Sequence, residues 1–545
     1  MLENIIGIVA EYNPFHNGHL YMLQAAKAKF KDAACVIVLS SNFTQRGDPA
    51  LLDKFARAEM ALANGADLVL ELPFFFSCAA AQDFSSGAID ILAGLKLVNY
   101  IAFGLEDFNY ANLDELINIL IQEPDEFKNN LKINLAQGMS YTRAASRALN
   151  KIIPDSEEFL LQPNNLLAIS YLKRIKERDY NLKPLFIPRV GAAHGEKFFA
   201  SAQVQDEKIF ANEREGAAKN FCESEQGQDE KFFVSEQGQD EKIFASEQGQ
   251  DEKFFMNESE GAAENFCASE QGQDEKFFAN ESEGAAENFC ESEQDQDEKF
   301  FVSEQGQDEK IFASEREGAA KKFSSSSAIR EAIKINSLKI LNNYMPEASL
   351  KIFERESLKS RVCINANKKL WMMLQAILLR ASPDELKNFD LINNGLENLF
   401  LNNFKKFNNL EDFINSCVSS RYTRSHIRRC LMRILIGINK LDALEIRKTG
   451  AGYARVLGFN AKGREILKFI RKSQELERED EANNFNSENT SGLEDFKNLK
   501  FITRLAAADK LNLCAKYEFK AESFYELLLG SQDLNYEVKL RTVEI

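Results

Sequence analysis

Short apolar runs recur through the first 190 residues, and a helix-like pattern stands between them. Ile5–Ala10, Cys35–Leu39, Asp67–Leu72, Tyr100–Phe103 and Leu185–Ile187 read as strands, while Leu20–Phe30 and Lys54–Ala63 carry helical spacing. Runs this short and this apolar suit strands covered on both faces. Their alternation with helices predicts a parallel sheet in an α/β fold. Such sheets bind ligands beyond the carboxyl ends of their strands, near the point where strand order reverses. The segment that follows the first strand is therefore where chemistry is expected to begin.

A second feature interrupts the chain. Between residues 196 and 323 the sequence repeats: Glu230-Lys231-Phe232-Phe233, Glu241-Lys242-Ile243-Phe244 and Glu252-Lys253-Phe254-Phe255 recur at a spacing of 11. A longer unit starting at Asn257 returns from Asn280. An 11-residue period fits three helical turns, whereas the polar, acidic, Gly- and Ser-bearing composition fits a loosely ordered excursion. The near-identical copies point to tandem duplication, and the block is expected to carry no chemistry. Long insertions cost little because closure entropy grows slowly with length.

The block also distorts the overall charge. The chain of 545 residues has a net charge of -17, but residues 195–322 alone carry -21, which leaves the remainder at +4. A mildly basic body permits an RNA partner. No apolar stretch is long enough to span a membrane, and the N-terminus lacks signal-peptide features. The nine Cys form no CxxC pair, which argues against a zinc or disulfide framework and for a reducing cytoplasm. The expected organisation is an α/β domain whose first part is 1–194, the acidic block at 195–322, a segment at 323–345 that completes the α/β domain, and a helical, partly basic region at 346–545.

After the first strand the chain reads Gly7-Ile8-Val9-Ala10-Glu11-Tyr12-Asn13-Pro14-Phe15-His16-Asn17-Gly18-His19-Leu20. Asn13-Pro14 ends the strand, and Gly18 allows close backbone approach. His16 and His19 share one face of a starting helix. A helix N-terminus attracts phosphate, and two imidazoles there can stabilise charge gathering at an α-phosphate. Two of the chain's four His stand in this one turn. The loop is neither a Walker A nor a GxGxxG loop, and HxxH without further ligands is a poor metal site.

Arg46, Asp53, Lys54 and Arg57 follow the second strand. Arg46, Lys54 and Arg57 suit phosphate or RNA, and Asp53 suits a helix cap or a base; the alternative is an ordinary solvated helix start. Gly104 would let an adenine ring lie on the backbone. Asn164 and Asn165 could read a base or cap a helix. Arg189 and Val190 precede the block, and Ser326, Ser327 and Arg330 follow it as hydroxyls and a guanidinium before a helix, a β/γ-phosphate cradle in kind. Further on, Arg421, Tyr422, Arg424, Arg428 and Arg429 crowd one stretch, suited to RNA phosphate contact and base stacking or else to a solvated basic face. Trp371 reads as core.

Taken together these segments resemble the HIGH nucleotidyltransferase superfamily and, more narrowly, the bacterial tRNA(Met) cytidine acetate ligase family. The likeness runs through residues 7–19, Asn42–Gly47 with Asp53-Lys54, Ala102-Phe103-Gly104, Pro163-Asn164-Asn165, Arg189–Ala192, Ser327–Arg330, Arg421–Arg424 and Arg455–Asn460. Ala193 stands where the family often has Tyr. The resemblance implies a Rossmann-like HIGH nucleotidyltransferase domain followed by a mainly helical region. It implies that ATP and acetate give acetyl-adenylate, and that the acetyl group passes to N4 of the wobble cytidine of elongator tRNA(Met). Residues 7–20, Gly104, Asn164 or Asn165, and Arg189 would then bind ATP. His16, His19, Arg189 and Arg330 would do the activation chemistry with Mg²⁺ as helper, and Asp53 is a candidate base. Two other readings remain: adenylylation of a small phosphorylated metabolite, and a non-catalytic RNA-binding protein on a degenerate enzyme fold.

Overall fold

The computed structural model describes residues 4–105, 112–188, 325–334, 341–364, 366–483, 499–505 and 513–545. The repeat block, Arg189 and Val190 lie outside the described residues. The five expected strands all form, as β1 (Ile5–Ala10), β2 (Ala34–Ser40), β3 (Leu68–Leu72), β4 (Tyr100–Leu105) and β5 (Lys183–Pro188). They pair in parallel in the order β5-β4-β1-β2-β3. The chain runs from β1 outward through β2 and β3, then returns to place β4 on the other side of β1. Strand order thus reverses between β1 and β4, which puts the expected ligand crevice at the carboxyl ends of these two strands.

β1 is followed by α1 (Asn17–Ala28), β2 by α2 (Lys54–Ala63), and β3 by α3 (Ala81–Gly94) after one short turn of helix. β2 and β3 are buried throughout, as strands covered on both faces must be. Gly7 sits inside β1, where an added Cβ would meet the Leu92 side chain of α3 at 2.7 Å. Its missing side chain thus serves helix–sheet packing. A long helix, α4 (Pro163–Glu177), carries the asparagine pair, and α5 (Ser326–Lys334) carries Arg330.

The C-terminal region is helical, as expected, yet it also completes the sheet. β6 (Tyr453–Phe459) pairs antiparallel with β3 and extends the same sheet; β7 (Lys500–Ile502) and β8 (Val543–Glu544) both pair with β6. One hydrophobic core runs from Val36 and Leu70 in the sheet to Trp371, Leu431 and Tyr525 in the helices. Residues 1–190 and 321–545 accordingly form one compact unit, so 346–545 is not a separate body. Three further helices matter below: α6 (Ala366–Arg380), α7 (Arg424–Ile436) and α8 (Leu513–Leu529).

The β2 exit loop docks on α7 at Gly47. Its φ is +87°, and an added Cβ would lie 2.8 Å from Arg428 Cβ and 2.9 Å from the Arg429 nitrogen. Both the backbone conformation and the space require glycine. Gly47→Ala is expected to lower unfolding stability by about 1–3 kcal/mol, read as a fall in the denaturant midpoint at unchanged m-value. An unchanged midpoint would mean that the loop re-seats freely.

Candidate active site

β1 ends at Ala10, and the chain turns through a cis Asn13–Pro14 peptide into the N-terminus of α1. His16 is the N-cap of this helix. Its Nδ1 accepts from the Gly18 N–H at 3.1 Å, and His19 Nδ1 accepts from the His16 N–H at 3.3 Å. The arrangement is a capping box built from two imidazoles. The rings stack at 3.7 Å between centroids, and Tyr12 meets His19 edge-on at 4.8 Å. Because each ring accepts at Nδ1, its neutral form carries the proton on Nε2. The pair thus keeps a fixed tautomer at the positive end of a helix, an arrangement able to donate to an anion.

The neighbouring loop is held in register by side chains. The Asn13 side-chain oxygen accepts from the Leu51 N–H at 2.8 Å, and Asn17 Nδ2 donates to the Asn343 carbonyl at 2.9 Å. Arg330 reaches across from α5, donating to the Asn13 carbonyl at 2.7 Å and to Ser327 Oγ at 3.1 Å. The segment that follows the repeat block is thereby drawn to the loop beyond the carboxyl end of β1. Burial works against the Arg330 charge, while Asp48 and Glu11 support it. Ser326 and Ser327 occupy the first positions of α5.

Gly7, Ile8, Val9 and Ala10 are the strand itself. Glu11 and Tyr12 leave it, Pro14 and Phe15 are buried beneath the turn, and Leu20 faces the core. Gly104 lies two residues beyond Ala102, the β4 partner of Ile8. Asn165 is buried and donates to the Phe159 carbonyl at 3.2 Å, whereas Asn164 is half-buried at the start of α4. Arg46 is exposed on the β2 exit loop.

Three expectations meet a different geometry. Arg57 is fully buried and donates to the carbonyls of Leu52, Glu11 and Ser41 at 3.0, 2.6 and 2.7 Å. It ties the two strand-exit loops together and offers no surface to RNA. Asp53 is the N-cap of α2, accepting from the Ala56 N–H at 2.9 Å, and its other oxygen meets Arg361 at 3.2 Å. Both oxygens are committed, so it cannot serve as an open base. Lys54 is fully buried in an acidic nest of Glu71, Glu518 at 2.6 Å, Glu522 at 2.5 Å and Glu537 at 3.6 Å, remote from solvent and therefore from substrate. Sequence reasoning placed these residues near the site because they follow β2. The glutamates that claim Lys54 lie far along the chain, with no local signal to reveal them.

Among the described residues the carboxylates Glu71, Glu518 and Glu522 are the one group close enough to hold a metal. Lys54 already fills their midst and Arg455 pairs with Glu522, so this group does not fit a cation. Mg²⁺ near the His pair would depend mainly on phosphate oxygens.

The basic stretch of α7 is only partly open. Arg421 is exposed. Tyr422 stacks on His426 at 5.4 Å and donates its hydroxyl to the Asn393 carbonyl at 3.1 Å. Arg424 pairs with Glu411. Arg428, nearly buried, pairs with Asp48 and Glu411, and Arg429 donates to the Gln45 carbonyl at 3.1 Å. Arg428 and Arg429 therefore hold α7 against the β2 exit loop, and Arg421, Tyr422 and Arg424 form the outer edge.

The chain matches the HIGH Nucleotidyl Transferase family over residues 3–242 and 308–537. It is 29% identical over 482 residues to the tRNA(Met) cytidine acetate ligase of Clostridium perfringens, covering 87% of this chain and 88% of that one. To the enzyme of the same name from Caldanaerobacter subterraneus subsp. tengcongensis it is 30% identical over 473 residues, covering 86% and 87%. Its fold is similar to that of Thermotoga maritima TmcAL bound with alpha-thio ATP, with a TM-score of 0.66, 23% identity and 99% of each chain covered. The chain therefore belongs to the HIGH nucleotidyl transferase family, among the tRNA(Met) cytidine acetate ligases.

Proposed function

We propose that this protein activates acetate with ATP to give acetyl-adenylate and pyrophosphate, then transfers the acetyl group to N4 of the wobble cytidine of elongator tRNA(Met). The observation that carries this reading is the junction at Asn13. A helix N-terminus with two tautomer-fixed imidazoles and the Arg330 guanidinium converge on one loop at the strand-order reversal.

An acetate oxygen attacks the α-phosphorus and pyrophosphate leaves. Negative charge grows on the phosphate oxygens, where Nε2–H donors of His16 and His19 can stabilise it, while Arg330 offsets the departing pyrophosphate. Mg²⁺, when bound with the nucleotide, would neutralise phosphate charge. Residues 7–20 and Gly104 line the nucleotide, with Asn164 or Asn165 at the base and Ser326 and Ser327 at the phosphates; Arg189 and Val190 join them on sequence resemblance alone. Among the described residues Arg46, Arg421, Tyr422 and Arg424, on the outer face of the β2 exit loop and at or just before the start of α7, are read as RNA contacts. The wobble base must leave its stack, which costs less in a single-stranded loop. No described helix is long and apolar enough to cross a membrane; the tRNA substrate and the lack of any CxxC pair in the sequence fit a cytoplasmic enzyme.

The test is acetate-dependent exchange of pyrophosphate into ATP, followed by transfer of labelled acetate to elongator tRNA(Met) with the product mapped. Exchange that requires acetate, with label at the wobble cytidine, is expected. Exchange driven by a phosphorylated metabolite instead would assign the site to adenylylation, and ATP binding with no exchange would favour a non-catalytic protein.

A further inference from the structure

The acetyl-transfer step needs a group to take a proton from the attacking amine, and Asp53 is not open to do so. Glu11, the first residue beyond β1, stands where the site's elements meet. Its carbonyl accepts from Arg57 at 2.6 Å, fixing the backbone from α2. Its Oε1 accepts from the Gln45 N–H at 2.7 Å, fixing the side chain from the β2 exit loop. Two residues further on, the Asn13 carbonyl holds Arg330 of α5. The cations that act on its carboxylate are Arg330, Arg57 and Arg46, and its charge is felt by Tyr171 on α4. The carboxylate therefore lies at the centre of the strand ends, loops and helices that carry the other site residues. Asp48, the other carboxylate of this neighbourhood, is taken by Arg428.

We infer that Glu11 is the general base of acetyl transfer, accepting the proton of cytidine N4 as that nitrogen attacks the acetyl carbonyl. This rests on the ligase reading above. The N4–C bond forms, the bond from the carbonyl carbon to the adenylate phosphate oxygen breaks, AMP leaves with the electron pair, and one N4 proton passes to the Glu11 carboxylate. The gain lies in timing. A cytosine amino group is a weak nucleophile whose proton becomes acidic only as the new bond forms, and a base fixed in place removes it at that moment. Burial raises the Glu11 carboxyl above its ordinary value against the Gln45 hydrogen bond and the three arginines, making it a better proton acceptor than a surface carboxylate. In the first half-reaction no proton is removed from acetate, so the activation step does not need this base.

Glu11→Gln keeps an oxygen to accept from Gln45 and removes the basicity. It is expected to slow transfer from acetyl-adenylate to tRNA by about 100-fold or more. Because Glu11 also borders the nucleotide, acetate-dependent pyrophosphate exchange should fall as well, but by at least about tenfold less than transfer. Wild-type transfer should rise with pH as Glu11 loses its proton, and this limb should vanish in Glu11→Gln and persist in Glu11→Asp. Equal loss of exchange and transfer in a folded Glu11→Gln protein would confine Glu11 to nucleotide binding or structure, with no part in the transfer step, and overturn the inference. Retained transfer would overturn it too, as would an acid limb unchanged in Glu11→Gln. If Glu11→Gln does not fold, an acid limb absent from both the wild type and Glu11→Asp overturns it. Absence of exchange in the wild type would instead sink the ligase reading itself.

Discussion

Lys54→Ala should cost about 3–5 kcal/mol of folding stability, the loss expected when one partner of a buried ion pair is removed. Against a total of about 5–15 kcal/mol for a natural domain, that is a large share. The Lys54 ammonium is fully buried among Glu71 of β3, Glu518 and Glu522 of α8, and Glu537. Arg455 of β6 supplies the second cation, pairing with Glu522. Glu518 also accepts from Ser41 Oγ at 2.6 Å and from the Phe74 N–H. The nest thus joins residues near the carboxyl ends of the parallel strands to the last 33 residues of the chain. Without Lys54, four carboxyl groups face one guanidinium with no water to screen them. The measurement is denaturant unfolding. Lys54→Met combined with Glu518→Gln should recover part of the loss, because the double change removes a charge of each sign. Wild-type stability in Lys54→Ala would mean that water enters the nest.

The same cluster sets a pH dependence. Burial, with Glu518 beside it, pushes the Glu71 carboxyl up to about 8, and burial likewise holds Glu537 well above the carboxylate range. Protons held on Glu71 and Glu537 reduce the negative charge that faces Lys54 and Arg455. Because the folded values lie above the unfolded ones, the native state holds the extra protons. The stabilising contribution is whole below about pH 4.5 and is lost as pH rises through about 8. Unfolding free energy should therefore decline across that window, where ordinary paired carboxylates would give a flat profile.

The sheet was legible because buried parallel strands announce themselves as apolar runs, and all five lie within a few residues of their expected bounds. The placement of His16 and His19 at the start of α1 was legible because its signals are local: a strand end, a proline, a glycine and two imidazoles within one turn. What was hidden is non-local. β6 lies in the stretch expected to be helical, and only its pairing with β3 reveals it as a strand of the sheet. Lys54 and Arg57 read as exposed cations on a helix start. A buried charge looks the same in sequence as a solvated one, and only the arrival of Glu518 and Glu522 from α8, or of three backbone carbonyls, distinguishes them. Arg428 illustrates the intermediate case, a member of a basic cluster whose charge is spent on Asp48 and Glu411.

His19→Ala is expected to reduce acetate-dependent pyrophosphate exchange by about 100- to 1,000-fold, the cost of removing one donor aimed at developing oxyanion charge. The ring also has a structural duty, since its Nδ1 accepts from the His16 N–H at 3.3 Å and it stacks on His16. Loss of that cap should cost about 1 kcal/mol of stability, far too little to explain such a fall in a folded protein. The two duties separate in His19→Asn. A shorter amide can still accept from the His16 N–H, so the melting temperature should return toward wild type, while its NH₂ does not extend to the position of Nε2 and exchange should stay low. Stability and exchange recovering together would make His19 a cap only and move the charge stabilisation to His16 and Arg330. Exchange within about threefold of wild type in His19→Ala, against the loss expected for an oxyanion donor, would remove His19 from the reaction altogether.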